Sequence, residues 1–284
     1  MKSLEGLREI AGRYDAVLSD VWGVVHNGVA AHPSAVEALV EYRKAGGRVV
    51  LITNAPRPSP PLVAMLDRLG VPREAFDAIV SSGDATRVML EPYRGKTIHY
   101  VGPPEENDSL FDGLDITIGP AEEAKAVVVT DLDTDDDTPD MYNDRITLWL
   151  KRNLPLIAAN PDRVVEHGDR LIYCGGAIAD LYEARGGMIL MAGKPYKPIY
   201  TEALRLAEVA AGKPLDRSRI LAIGDSVRTD AIGAAGAGLD LLFITGSIHA
   251  AELDAFGKPD PAAIDSLVGP SGANLAGFMP RLGW

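Results

Sequence analysis

The chain has 284 residues, 46% hydrophobic and 24% charged, enough for one large or two ordinary folded domains with a sizeable core. Its net charge of −12 argues against non-specific binding to nucleic acid or to an anionic membrane. An anionic substrate would therefore need a local positive group, a metal or both.

The N-terminus carries no long apolar h-region, and no apolar run reaches ~18 residues. The expectation is a cytoplasmic protein without signal peptide or membrane span. Leu4, Leu7 and Ile10 fall on one side of a predicted amphipathic helix over 3–13. The apolar run from Ala16 then reads as a buried strand ending at Asp20, with Val21-Trp22-Gly23 after it. A carboxylate at the end of a parallel strand sits where open α/β sheets bind ligands, so Asp20 is a candidate for chemistry, the plainer reading being a turn cap. His26, in the His26-Asn27-Gly28 turn, is either a substrate ligand or proton shuttle, or an ordinary hydrogen-bonded loop histidine.

Pro33 opens a helix to about Ala45, closed by Gly46-Gly47. The next strand, from Arg48, ends in Thr53 and Asn54, a hydroxyl and an amide that suit a phosphate oxygen or, more plainly, a turn. After a proline-rich loop come a helix to Leu69 and a strand over 77–82. This alternation implies a parallel sheet with right-handed crossovers.

The pattern restarts near residue 95, with strands over 97–101, 125–130 and 154–159 and helices over 105–112, 139–153 and 177–185. The reading is a second α/β unit over 86–189 inserted into a discontinuous first unit of 1–85 and 190–284. Asp131 opens the acidic run Asp131-Leu132-Asp133-Thr134-Asp135-Asp136-Asp137. A calcium loop of the EF-hand type needs Gly at position six and Glu at twelve, where this chain has Asp136 and Tyr142. The run is therefore read as a solvated loop capping the next helix. Cys174, the sole cysteine, excludes an internal disulfide and is read as a buried thiol, since no base is identifiable beside it.

Lys194, between Gly193 and Pro195, is fixed by its backbone, and a helix follows over 197–211. A strand then leads into Gly224-Asp225, with Asp230 at a helix start. Carboxylates around a strand end suit Mg²⁺, although Asp230 would equally favour a helix dipole. Residues 239–245 read as a last buried strand, and the tail from Gly257 as irregular packing. No glycine-rich nucleotide loop is present.

Four strand-end stretches together resemble the haloacid dehalogenase superfamily: Asp20-Val21-Trp22-Gly23, Thr53-Asn54, Gly193-Lys194-Pro195, and Gly224 to Asp230. Thr-Asn, the Asn160-Pro161-Asp162 turn and Gly-Lys-Pro are similar to the NagD-type, class IIA branch, which contains sugar and nucleotide phosphatases. The resemblance implies a Rossmann-like core with an inserted α/β cap. It implies Asp20 as nucleophile, forming an aspartyl-phosphate, with Thr53, Asn54 and Lys194 on the phosphate. Mg²⁺ would be held by Asp20, Asp225 and the backbone carbonyl of Trp22, with Asp230 orienting metal-bound water or Lys194. A small phosphorylated metabolite is the expected partner, with neither nucleic acid nor membrane, and a homodimer would fit the branch.

Trp22 departs from the family pattern, which has an acid–base Asp there. An indole offers only a neutral N–H donor, and losing general acid–base help costs ~10²–10⁴ in rate. His26 is a substitute proton source, and Trp22 is a surface on which a substrate ring could stack. The first reading is a phosphatase. The alternative is a slow or inactive homologue that binds a phosphorylated ligand. A third is transfer to a non-water acceptor, or dehalogenation.

Overall fold

A computed structural model describes residues 2–103, 109–167, 170–256 and 259–284. Among them, strands β1 (Ala16–Ser19), β2 (Arg48–Thr53), β3 (Ala78–Ser81), β11 (Ile220–Gly224), β12 (Asp240–Ile244) and β13 (Asn274–Met279) form one parallel sheet. Its order is β13-β12-β11-β1-β2-β3. Strand alternation sends successive side chains to opposite faces. Val17, Val49 and Leu51 enter one apolar cluster, and Ala16, Leu18, Val50 and Ile52 the other. Both faces are thus covered, as the continuous apolar runs require.

A second parallel sheet has the order β10-β7-β6-β4-β5, from β4 (Lys96–Val101), β5 (Ile116–Ile118), β6 (Val127–Val129), β7 (Leu156–Ala158) and β10 (Ile189–Met191). An antiparallel hairpin of β8 (Val164–His167) and β9 (Arg170–Tyr173) follows β7. Because β10 pairs with β7, the second sheet reaches Met191, slightly past residue 189.

Several sequence expectations are corrected. Residues 3–13 hold two short 3-10 turns, Leu7–Glu9 and Ala11–Arg13, instead of one helix. Gly6 and Gly12 weaken a continuous helix there, while Leu4 and Leu7 still bury. The tail is regular: a helix over Pro261–Val268 begins on an Asp260 cap, and β13 completes the first sheet. β12 is therefore not the last strand. The weakly patterned β5, the hairpin and β10 carry too few buried residues to announce themselves. Residues 105–108 of the expected 105–112 helix, and Gly257, lie outside the described residues.

Candidate active site

The carboxyl ends of both sheets meet at one cavity of about 770 Å³, lined among others by Asp20, Thr53, Asn54, Asp131, Asn160, Asp162 and Asp225. The first sheet brings Asp20 from the end of β1, Thr53 and Asn54 from β2, and Asp225 from β11. Parallel pairing sets these ends side by side. The second brings Asp131 past β6, Asn160 and Asp162 past β7, and Lys194 past β10.

Lys194 Nζ lies 2.7 Å from Asp20 Oδ1 and 2.7 Å from Asp230 Oδ1, with all three side chains buried. Asp20 Oδ1 also accepts from the Val21 N–H at 2.6 Å. Asp230 Oδ2 accepts from the backbone N–H of Ser226 at 3.1 Å and of Asp225 at 3.3 Å. A helical turn over Val227–Ala231, wider than an α-turn, carries Asp230 back beneath β11. Two glycines make room. At Gly23 (φ +82°) a Cβ would stand 2.2 Å from Asp225 Oδ2, and at Gly224 2.2 Å from the Asp230 carboxyl carbon.

Oxygens of Asp20, Asp225 and Asp230 fall within 4.8 Å of one another. Burial, then Asp230, raises the Asp20 carboxyl well above its usual range, Lys194 partly opposing. Burial and Asp230 likewise push Asp225 up to about 7. Burial alone would pull Lys194 down, but Asp20, Asp230 and Asp162 hold it well above the ordinary lysine value. Three carboxylates against one ammonium leave an excess of buried negative charge. Their hard oxygens suit a divalent cation of the Mg²⁺ or Ca²⁺ kind, which would reverse the upward shifts.

Trp22 lies on the turn between Asp20 and Gly23, and its ring lines the cavity. The ring centre is 5.2 Å from that of His26 and 6.2 Å from that of His167 on β8. Gly28 leaves the space: a Cβ there would stand 2.6 Å from the indole. His26 is 1% exposed, and its Nδ1 accepts from the Gly28 N–H at 2.9 Å. Burial lowers its pKa to about 4. It is thus a neutral, hydrogen-bonded loop histidine at the cavity wall. Thr53 is buried, and its Oγ1 accepts from the Ala55 N–H at 3.2 Å.

The acidic run is only partly solvated. Asp131 Oδ1 accepts from Asn160 Nδ2 at 2.9 Å, and burial raises its carboxyl to about 7. Asp136 reaches out to Arg170, and Asp135 to His167. The next helical turn, Pro139–Tyr142, is capped by Thr138 rather than by an aspartate. Cys174 is buried beside Asp131, which with burial raises its thiol. Sequence reading missed Ser247, which hydrogen-bonds Asp225. The one signal was its place just past β12, the strand beside β11. It also gave Asp162 no role beyond a turn.

A family model for haloacid dehalogenase-like hydrolases matches residues 17–115, and a second HAD-hydrolase-like model matches 191–270. A crystal structure of a haloacid dehalogenase-like hydrolase from Brucella suis is 43% identical and superposes with a TM-score of 0.87, over 98% of this chain and 99% of that one. The glycerol phosphate phosphatase of Mycobacterium tuberculosis, solved with magnesium, is 26% identical with a TM-score of 0.62, over 91% and 74%. The haloacid dehalogenase-like hydrolase domain-containing protein 2 of Bos taurus is 30% identical, over 87% of this chain and 89% of its own. With site and likeness spanning both segments, the chain belongs to the haloacid dehalogenase-like hydrolases.

Proposed function

We propose that this hydrolase cleaves phosphate monoesters of small metabolites, sugar phosphates or nucleotides, in a Mg²⁺-dependent reaction through Asp20. The observation that carries the proposal is the buried Asp20–Lys194–Asp230 array with Asp225 in reach. The mycobacterial relative's phosphatase name and its magnesium complex support it. The second sheet, as an inserted cap over about 86–189, would close the cavity over the leaving group.

Asp20, Asp225 and the Trp22 backbone carbonyl would hold Mg²⁺, which supplies charge neutralisation of the phosphate and so lets an anionic carboxylate approach it. Lys194 Nζ and Val21 N–H both bind Oδ1 of Asp20, so its oxygens are inequivalent and Oδ2 is assigned the attack. Bonding of Asp20 to phosphorus breaks the ester P–O bond, and the leaving oxygen takes a proton from water. Water then attacks the aspartyl-phosphate, releasing phosphate and regenerating Asp20. Lys194, Thr53 and the Asn54 backbone N–H position the phosphate oxygens, and positioning supplies most of the rate in phosphoryl transfer.

Trp22 favours a second reading, a slow homologue that binds a phosphorylated ligand. Hydrolysis of p-nitrophenyl phosphate decides, because its leaving group needs little protonation. Mg²⁺-dependent turnover that vanishes in Asp20→Asn supports the phosphatase. No turnover, with inorganic phosphate still bound, supports the binder.

A further inference from the structure

We infer that Asn54 and Asp162 are positioning residues: one buried amide ties the ends of three strands from the two sheets together and sets Lys194 against Asp20. The inference rests on the proposed roles of Lys194 and Asp20, and it gives the Asn54 side chain a task other than holding phosphate.

Asn54 follows β2, Asp162 follows β7 and Lys194 follows β10. Asn54 Oδ1 accepts the backbone N–H of Lys194 at 2.7 Å. Its Nδ2 donates to Asp162 Oδ1 at 2.9 Å and to the Lys194 carbonyl at 3.3 Å. A side-chain amide has two N–H donors, so both are spent. The partners also fix which way the amide faces, since a backbone N–H only donates and a carboxylate only accepts. The residue is 2% exposed, where unmade hydrogen bonds are costly. Asp162 is anchored in turn, its N–H donating to Asn160 Oδ1 at 3.1 Å.

Gly193 permits the close approach, because a Cβ there would stand 2.2 Å from Asn54 Oδ1. The consequence falls on the lysine. Its backbone is gripped at both its N–H and its C=O by an amide rooted in the first sheet, and its Nζ then reaches Asp20 and Asp230 at 2.7 Å. Asp162 adds negative charge on the second-sheet side of the ammonium. An error of ~1 Å in such a group costs ~100-fold in rate.

The test is an exchange of the pair. Asn54→Asp sets a carboxylate against that of Asp162 and removes the donor to the Lys194 carbonyl. Asp162→Asn, the mildest change, removes only the charge. The double variant restores a donor and an acceptor across the same gap in reversed sense. We expect Asn54→Asp to lower kcat/KM for p-nitrophenyl phosphate by ~100-fold. Asp162→Asn should lower it by about tenfold, and the double variant should recover at least ~10-fold over Asn54→Asp. Affinity for inorganic phosphate, by calorimetry, should follow the same order. Single effects that simply multiply overturn the inference. So does a loss confined to Tm, with kcat/KM and phosphate affinity of the folded protein unchanged. A wild type without turnover, whose phosphate affinities still show the rescue, sinks the phosphatase reading alone. Turnover with multiplying effects sinks the clamp alone.

Discussion

Replacing Asp225 by Asn should stabilise the metal-free protein at alkaline pH and abolish its gain from Mg²⁺. The amide keeps the shape and can still take the Ser247 hydrogen bond, but it carries no charge. Burial and the neighbouring Asp230 move the Asp225 carboxyl from 3.8 to about 7. At ~1.4 kcal/mol per pH unit this corresponds to about 4 kcal/mol, of which Asp230 shares a part, leaving ~2–4 kcal/mol. A carboxyl whose folded pKa is raised contributes fully below its unfolded value near 4, and the contribution is lost as pH rises through about 7. The variant should therefore match wild type below about pH 4, draw ahead as pH rises from about 4 to 7, and exceed it by ~2–4 kcal/mol at pH 8. The assay is urea unfolding at a series of pH values, first with chelator and then with Mg²⁺. Comparing variant with wild type at each pH cancels the other titrating groups. A difference that does not change between pH 5 and 8, or an Asn variant that is less stable at pH 8, would refute the reasoning. With Mg²⁺ the order should invert, because the ion stabilises only the wild-type carboxylates by mass action.

Three further outcomes follow from the geometry. Trp22→Asp should raise kcat for an alkyl phosphate at least ~10-fold and much less for p-nitrophenyl phosphate, because only the alkoxide needs a proton donor. Steady-state kinetics on both esters checks this, and equal gains would refute it. His26 should stay neutral until its pKa of about 4, seen as the midpoint of its imidazole NMR titration. Its folded pKa is depressed, so its contribution to stability is present above ~6.5 and fades as pH falls towards 4. Gly193→Ala should lower kcat/KM for p-nitrophenyl phosphate by ~10–100-fold. The new methyl would stand 2.2 Å from Asn54 Oδ1 and must displace the amide or the lysine. Wild-type kinetics in this variant would show that the approach can relax.

Much of the first sheet was legible because its strands are buried on both faces. Runs such as Val49-Val50-Leu51-Ile52 admit few alternatives, and β1, β2 and β11 lead into polar residues that line the cavity. Lys197–Ala211 was equally plain from its helical spacing. The short edge strands were not, because β5 and β10 are half exposed and gain their identity from the neighbour they pair with. β13 hid in a tail rich in Gly and Pro, since its pairing partner, β12, lies more than thirty residues away.

The sequence by itself determined the alternation of strands and helices and the candidate residues Asp20, Thr53, Lys194, Asp225 and Asp230, because strand ends and local motifs are written in consecutive residues. Trp22, two residues after Asp20, was also plain there. Only the tertiary structure decided which groups touch. It spent the Asn54 side chain on Lys194 and Asp162, tied Asp131 to Asn160, and tucked His26 neutral against Trp22. The physical reason is that charge state and hydrogen bonding depend on burial and on partners over a hundred residues distant, as Asn54 and Lys194 are, and no local pattern encodes that distance.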